Sequence, residues 1–421
     1  MTPRTPSRSL AAKCSVGALA IVCSMITHAA AQTKPRARDL GIPFDGTPGP
    51  LNRITDVAGV TVGYSTLIRG NGAHAVRTGV TAILPRNAAS TNHPVFAGMF
   101  SLNGNGEMTG SHWIEEAGQL EGPVMLTNTH SVGVVRDAVI AWRVKRDKAD
   151  PSGYYWSLPV VAETWDGELN DVNGFYVQPA HVFAALDGAR GGAIAEGNVG
   201  GGTGMSCHEF KCGTGTSSRV IKIDRDTFTV GALVQANYGV RDELRIAGVP
   251  IGRHMPTKPG AKDQGSILIV IATDAPLLGQ QLKRIARRAA LGLARNGSYS
   301  GNGSGDLFIA FSTANEDADL VGPETIRALG NDQLDPLFLA TVRVVEESII
   351  NAMVAADSMT GVNGNTIPAI DTRELQKILK QYGRLDAPAP SASGPTTKSS
   401  APAARSADSP PDRTRSPAPN P

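Results

Sequence analysis

Apolar positions fall into short runs with strand spacing and longer stretches with helical spacing, and the two kinds alternate between residues 32 and 386. Six runs read as strands: Gly79–Leu84, Val124–Asn128, Val160–Glu163, Thr227–Gln235, Ser266–Ala272 and Leu307–Ser312. Several are apolar at consecutive positions, as strands buried on both faces must be, so helices should cover the sheets they build. The clearest helix follows Asp274-Ala275-Pro276, with Leu278, Leu282, Ile285, Ala286, Ala289 and Leu293 in register until the pattern stops near Gly297. Asp as cap, Pro in the first turn and Gly after the end predict its limits. Asp335-Pro336 opens a second helix carrying Leu339, Val342, Val345, Ile349 and Met353, and a shorter one runs from about Asp371 to Gly383. The class is α/β or α+β.

The two ends of the chain differ from this pattern. Arg4, Arg8 and Lys13 precede an apolar run from Val16 to Ile26, and Ala29-Ala30-Ala31 stands before Gln32. That is the layout of a signal peptide, residues 1–31, which predicts an exported, periplasmic or secreted protein. The run is well short of the roughly 20 residues a spanning helix needs. Ile21-Val22 before Cys23 lacks the small residues that lipidation prefers. From Ala387 to Pro421 the chain is Pro, Ser and Ala with scattered charges and no bulky apolar residue, so it is expected to be a disordered tail. Residues 32–386 are left as the folded, catalytic part.

Composition, with 41% hydrophobic and 19% charged residues, excludes a fibre or a wholly disordered protein. The net charge of +2 owes three unbalanced basic residues to the leader, so the mature chain is close to neutral. No basic stripe with interleaved aromatics points to nucleic acid. Of the four cysteines, Cys207 and Cys212 remain after leader removal, with His208 between them. A local disulfide or two ordinary thiols fit them better than a metal site, because the three candidate ligands lack a fourth at zinc spacing.

Chemistry enters at Asp263-Gln264-Gly265-Ser266-Ile267-Leu268-Ile269-Val270-Ile271, where a Gly-Ser pair stands directly before the most apolar strand. Alone, this is an ordinary strand start. The surrounding block Asp263–Leu278 (DQGSILIVIATDAPLL), however, resembles the DmpA-type aminopeptidases, and so do Gly197–Arg219 (GNVGGGTGMSCHEFKCGTGTSSR), Pro159–Asn173 (PVVAETWDGELNDVN) and Leu51–Gly63 (LNRITDVAGVTVG). That family includes L-aminopeptidase/D-Ala-esterase/amidases and β-peptidyl aminopeptidases. The resemblance runs in order from about Asp39 to Tyr382.

It implies an αββα sandwich of the DmpA/ornithine-acetyltransferase type. It also implies a precursor that cuts itself between Gly265 and Ser266, leaving two chains that stay together, without cofactor or metal. Glycine before the bond has no Cβ, so a strained backbone is tolerated and the serine hydroxyl can reach the carbonyl. Once freed, the Ser266 α-amine, with a reference pKa of about 8, can serve its own hydroxyl as general base.

By the same resemblance Ser304 and Asp306 orient the hydroxyl and amine of Ser266, although some relatives carry Glu at the Asp306 position. Asn237 matches the oxyanion-hole asparagine, and Glu163 matches the acid that receives a substrate's ammonium group. Trp165 stands where some relatives have a tyrosine; indole can donate a hydrogen bond but can neither accept one nor titrate. The expected partners are a small amino-acid amide, ester or short peptide, the cleaved fragment itself, and further copies in a homo-oligomer such as a tetramer. No nucleic-acid or membrane partner is expected.

Two other motifs carry less. Gly200-Gly201-Gly202-Thr203-Gly204 lacks the Gly-Lys-Ser/Thr of a phosphate loop and reads as close backbone packing near the cleft. His130-Ser131 lacks a nucleophile elbow. Two functional alternatives remain: an acyltransferase like ornithine acetyltransferase, which normally exposes Thr rather than Ser, and a binding protein that keeps the fold without processing.

Overall fold

Thr61 to Ile367 supply the strands of the computed structural model, which describes residues 34–88, 91–146, 151–257, 265–316, 318 and 325–386. The leader and the Pro/Ser/Ala-rich tail lie outside the described residues. In chain order the strands are β1 (Thr61–Arg69), β2 (Val76–Leu84), β3 (Val95–Gly104), β4 (Gln119–Leu120), β5 (Val124–Asn128), β6 (Val160–Thr164), β7 (Ser206–Cys207), β8 (Phe210–Lys211), β9 (Thr214–Ile223), β10 (Asp226–Asn237), β11 (Ser266–Thr273), β12 (Gly305–Ser312), β13 (Met359–Thr360) and β14 (Thr366–Ile367). The helices are α1 (Ser111–Ala117), α2 (Val132–Arg146), α3 (Pro179–Asp187), α4 (Ile251–His254), α5 (Gly279–Arg295), α6 (Asp335–Ala355) and α7 (Thr372–Gln381).

Two sheets stack face to face. One has the order β1-β2-β5-β6, the other β4-β3-β12-β11-β10-β9. Their facing sides share one apolar layer, in which Val62, Ile83, Leu126 and Ala162 meet Leu233, Leu268, Val270 and Ile309. The alternate residues of β11, Ile267, Ile269 and Ile271, point the other way and pack against Leu282, Ile285 and Ala289 of α5 and Ile349 of α6. Across the molecule, Ala82, Met125 and Val161 pack against Val135 and Val139 of α2 and Val182 and Leu186 of α3. Both faces of each sheet are therefore dry, which is why the strand runs read as continuously apolar. The layers are helix, sheet, sheet, helix, the αββα sandwich that was expected.

The sheet order also places the chemistry. The parallel pair β11–β12 is joined through α5, the crossover that parallel strands require. The start of β11, the start of β12 and the end of β10 therefore lie at one end of the larger sheet.

Three local expectations need correction. Asp274 does not cap α5: its carboxylate accepts the Thr229 amide at 2.7 Å, tying the end of β11 to β10. The helix starts at Gly279, so Pro276 lies in the link before it, and Gln281 reaches back to accept from the Leu278 amide at 3.0 Å. Leu339 is 44% exposed, because Leu337, Ala340, Val344 and Val345 already occupy the core-facing stripe of α6. By contrast Asp371 caps α7 as expected, accepting from the amides of Arg373 and Glu374. Cys207 and Cys212 form a disulfide closing the β7–β8 hairpin, with a Cα–Cα separation of 5.4 Å.

Candidate active site

Ser266 is the first residue of β11 and is almost wholly buried. Its Oγ accepts a hydrogen bond from the Gly305 amide at 3.1 Å. That amide occupies one lone pair and leaves the hydroxyl hydrogen to turn elsewhere. Ser304 and Asp306 flank Gly305, and the Ser304 hydroxyl donates to Asp306 Oδ1 at 2.7 Å, with both residues buried. The parallel register pairs Ile267 with Asp306, which brings this Ser-Gly-Asp turn beside Ser266.

Glycines make the approach possible. A Cβ on Gly265 would lie 1.9 Å from the Asn237 carbonyl oxygen, and one on Gly305 would lie 2.3 Å from the Asn105 carbonyl oxygen. Neither site admits a side chain without backbone movement. The segment Asn103–Gly106, which sequence reading left unassigned, fixes this turn from the other side. Asn103 Nδ2 donates to the Gly301 carbonyl at 2.6 Å, and Asn105 Nδ2 to the Gly303 carbonyl at 2.7 Å. A shift of register between Asp306 and Leu307 in the β3–β12 pair marks where the strand leaves regular pleating to form the site.

Asn237, the last residue of β10, is the cross-strand partner of Ser266. Its Oδ1 accepts from the Ser206 amide at 2.9 Å and its Nδ2 donates to the Trp165 carbonyl at 2.9 Å. The two contacts fix which end of the carboxamide carries the hydrogens. One Nδ2 hydrogen remains uncommitted among the described residues, as an oxyanion donor requires. Trp165 thus enters the site through its backbone carbonyl, while its indole is half exposed and lies over Gly167.

Glu163 is buried near the end of β6. One carboxylate oxygen accepts from the Glu107 amide at 3.1 Å and the other from the Thr129 hydroxyl. Burial raises its pKa above the ordinary carboxylate value, and the two hydrogen bonds oppose that rise. Gly106 lies between this carboxylate and the catalytic turn: a Cβ there would sit 3.4 Å from Glu163 Oε1 and 3.3 Å from the Gly305 Cα. The sequence-predicted residues therefore gather where the ends of β10 and β6 meet the starts of β11 and β12, with Glu163 one glycine away from the Ser304–Asp306 turn. Sequence reading missed Thr129, Asn105 and Gly106, as well as the adjoining Asp166. Asp166 is buried between Asn128 and Asn170, and burial pushes its carboxyl up to about 6.

The remaining motifs fall into place as structure. Gly200–Gly204 is buried backbone against β2 and Gln235, where a Cβ on Gly201 would lie 2.1 Å from Gln235 Oε1. His130 stacks on Phe175 with ring centres 6.0 Å apart, in the turn before α2.

The model of peptidase family S58 matches residues 52–367, which includes every residue of this site. The chain belongs to peptidase family S58. Among characterised members of the family, it is 51% identical to the β-peptidyl aminopeptidase BapA of Sphingosinicella microcystinivorans, over 87% of this chain and 98% of that one. It is 47% identical to BapA of Sphingosinicella xenopeptidilytica, over 86% and 96%. Among solved structures, it superposes on the L-aminopeptidase D-Ala-esterase/amidase of Ochrobactrum anthropi with a TM-score of 0.79 at 51% identity, covering 84% of this chain and all of that one. That enzyme is described as a prototype of the serine aminopeptidases and a variant of the Ntn hydrolase fold. A Burkholderia sp. β-aminopeptidase matches with a TM-score of 0.77 at 48% identity, over 83% and 99%. This S58 peptidase is accordingly a hydrolase with the N-terminal-nucleophile architecture.

Proposed function

We propose that this S58 peptidase is a serine aminopeptidase/amidase that breaks its own Gly265–Ser266 bond and then hydrolyses amides, esters or short peptides bearing a free amino group. The observation that carries the proposal is the junction itself. A glycine with no space for a Cβ precedes a buried serine whose Oγ is held by the Gly305 amide, with the Asn237 carboxamide across the strand pair.

In maturation, Ser266 Oγ attacks the Gly265 carbonyl carbon. The C–O bond forms, the C–N bond breaks, and the hydroxyl proton ends on the new amine. Water then hydrolyses the ester, leaving a Gly265 carboxylate and a free Ser266. In turnover the Ser266 amine takes the proton of its own hydroxyl, Oγ attacks the substrate carbonyl, and Asn237 donates to the oxyanion. The adduct collapses as the proton passes to the departing amine or alcohol, and water then cleaves the acyl ester and restores the Ser266 hydroxyl. The Gly305 amide and the Ser304–Asp306 pair hold the nucleophile's surroundings fixed. Glu163 receives the substrate's ammonium group.

The curated relatives named β-peptidyl aminopeptidases support peptides with an N-terminal β-amino acid as the first substrates to try. The export signal and the family's habit support a periplasmic or secreted homo-oligomer. The test is maturation. Wild type should run as two chains on a denaturing gel, the smaller beginning Ser-Ile-Leu-Ile-Val, and Ser266→Ala should run as one and be inactive. A wild-type chain that stays whole while cleaving amino-acid amides overturns the proposal.

A further inference from the structure

Lys211 is fully buried in the disulfide-closed hairpin, and its two hydrogen-bond contacts are carbonyls rather than carboxylates. Nζ donates to Met205 O and to Cys212 O, each at 2.7 Å. A charge held this way is costly to bury: lost water pushes the Lys211 pKa down to about 7, and the attraction of Asp357 only partly opposes the shift. Holding the hairpin does not call for one: the disulfide, the Ser206–Lys211 pairing and the bond from the His208 amide to the Tyr238 carbonyl already do so.

What Nζ touches gives the reason. Met205 C=O and Ser206 N–H are the two ends of a single peptide unit, and that N–H is the donor to Asn237 Oδ1 at 2.9 Å. The bonds run from Lys211 Nζ to Met205 O, then from Ser206 N to Asn237 Oδ1, and the carboxamide ends in the Nδ2 hydrogens beside Ser266. An amide whose oxygen accepts a hydrogen bond becomes a stronger donor at its nitrogen, and each link in this chain is polarised in the same sense. We propose that Lys211 is a positioning residue for catalysis, which aims and polarises the Asn237 carboxamide through the Met205–Ser206 peptide unit. This rests on Asn237 being the oxyanion donor.

The relay acts on the transition state more than on the bound substrate, because only the transition state places full charge on the oxyanion. The test is Lys211→Met, which keeps the stem and removes the Nζ donor to Met205 O. On a β-amino-acid p-nitroanilide, kcat per processed site should fall about tenfold, less than the roughly 10²- to 10³-fold of losing an oxyanion donor outright, while KM stays within about twofold. Affinity for an amino aldehyde, which forms a tetrahedral adduct on Ser266, should fall by a similar factor, while affinity for the free amino acid product holds. A lysine that only braces the hairpin would lower thermal stability and leave kcat within about twofold, and that result overturns the proposal.

Asn237→Ala measured alongside separates the two ideas. If it spares kcat, the oxyanion role of Asn237 fails; if it abolishes kcat while Lys211→Met does not, the relay alone fails. Should Lys211→Met not yield processed enzyme, ¹⁵N-lysine NMR of the wild type decides. The Lys211 Nζ resonance should move when the aldehyde binds and stay put with the product; a resonance unmoved by the aldehyde overturns the proposal.

Discussion

Asn237 and Ser266 are direct partners in the antiparallel β10–β11 ladder, so the proposed oxyanion donor and the proposed nucleophile are set by the same backbone hydrogen bonds. Side chains of such partners emerge on the same face of a sheet with Cβ atoms about 4.5–5.5 Å apart. That spacing is close enough for one carbonyl carbon to meet the hydroxyl while its oxygen meets the carboxamide. The pair is also the last of the ladder, where β10 ends and β11 begins. The proposed scissile bond therefore falls at the point where the chain leaves the sheet, beside a serine that the sheet still holds.

The tightness of that exit gives a first prediction. A methyl group at residue 265 would sit 1.9 Å from the Asn237 carbonyl oxygen, so Gly265→Ala must push the backbone away from β10 and move the scissile carbonyl relative to Ser266 Oγ. Misplacement by about 1 Å typically costs around 10²-fold in rate. Gel time courses after synthesis should show precursor persisting far longer than in wild type. Cleavage at the wild-type rate would mean that the fit around Gly265 does not govern the reaction.

Asn237→Ala should process or turn over poorly through kcat rather than KM. Loss of one such donor costs about 2.7–4 kcal/mol of transition-state stabilisation. Asn237→Asp should do no better, because a carboxylate would face the Trp165 carbonyl without a hydrogen to give it. Steady-state kinetics on fully processed protein check both, and an Asn237→Asp enzyme with normal kcat would remove Asn237 from the oxyanion site.

Much of the fold was legible because its strands are buried on both faces: β5, β6, β10, β11 and β12 all announce themselves as apolar runs. The start of α5 was misplaced because Asp274 and Pro276 have the residue types of a helix start. The Asp274 carboxylate instead ties the end of β11 to β10, Pro276 lies in the link, and Gln281 supplies the cap from inside the helix. The site was legible only in pieces. Ser266 stands out locally, whereas Asn237, Ser304, Asp306 and Glu163 look like turn or strand-end residues and were assigned through family resemblance. Asn103–Gly106 and Thr129 were missed because a Gly/Asn loop and a strand-end threonine carry no local signal. Their contribution exists only once β3 pairs with β12 and β5 with β6.

Asp306→Asn should separate geometry from charge. The carboxamide oxygen can still accept from Ser304, so the turn should persist, but a negative charge beside the Ser266 amine is lost. A nearby carboxylate favours the protonated amine, so its removal lowers the amine pKa and raises the fraction of free base at a given acid pH. The acid limb of the kcat/KM profile should shift to lower pH. An unshifted limb would place the Asp306 charge away from the amine.

Glu163→Gln tests the ammonium receptor. The variant should still cut itself, since the carboxylate lies beyond Gly106 and bonds to Glu107 N and Thr129 rather than to Ser266. Hydrolysis of a free-amine substrate should weaken by the roughly 1.5–3 kcal/mol of a charge-assisted contact, about ten- to more than a hundredfold in kcat/KM. An N-acetylated analogue, poor for wild type, should lose little further. The pH dependence adds a second readout. Burial raises the Glu163 pKa, so on acidification the free enzyme loses this carboxylate at a higher pH than an ordinary glutamate would, and wild-type KM should begin to rise there. In Glu163→Gln that rise in KM should be absent, because nothing at position 163 titrates. A processed variant that cleaves free-amine substrates as well as wild type, or that keeps the acid rise in KM, would show that the substrate's ammonium is held elsewhere.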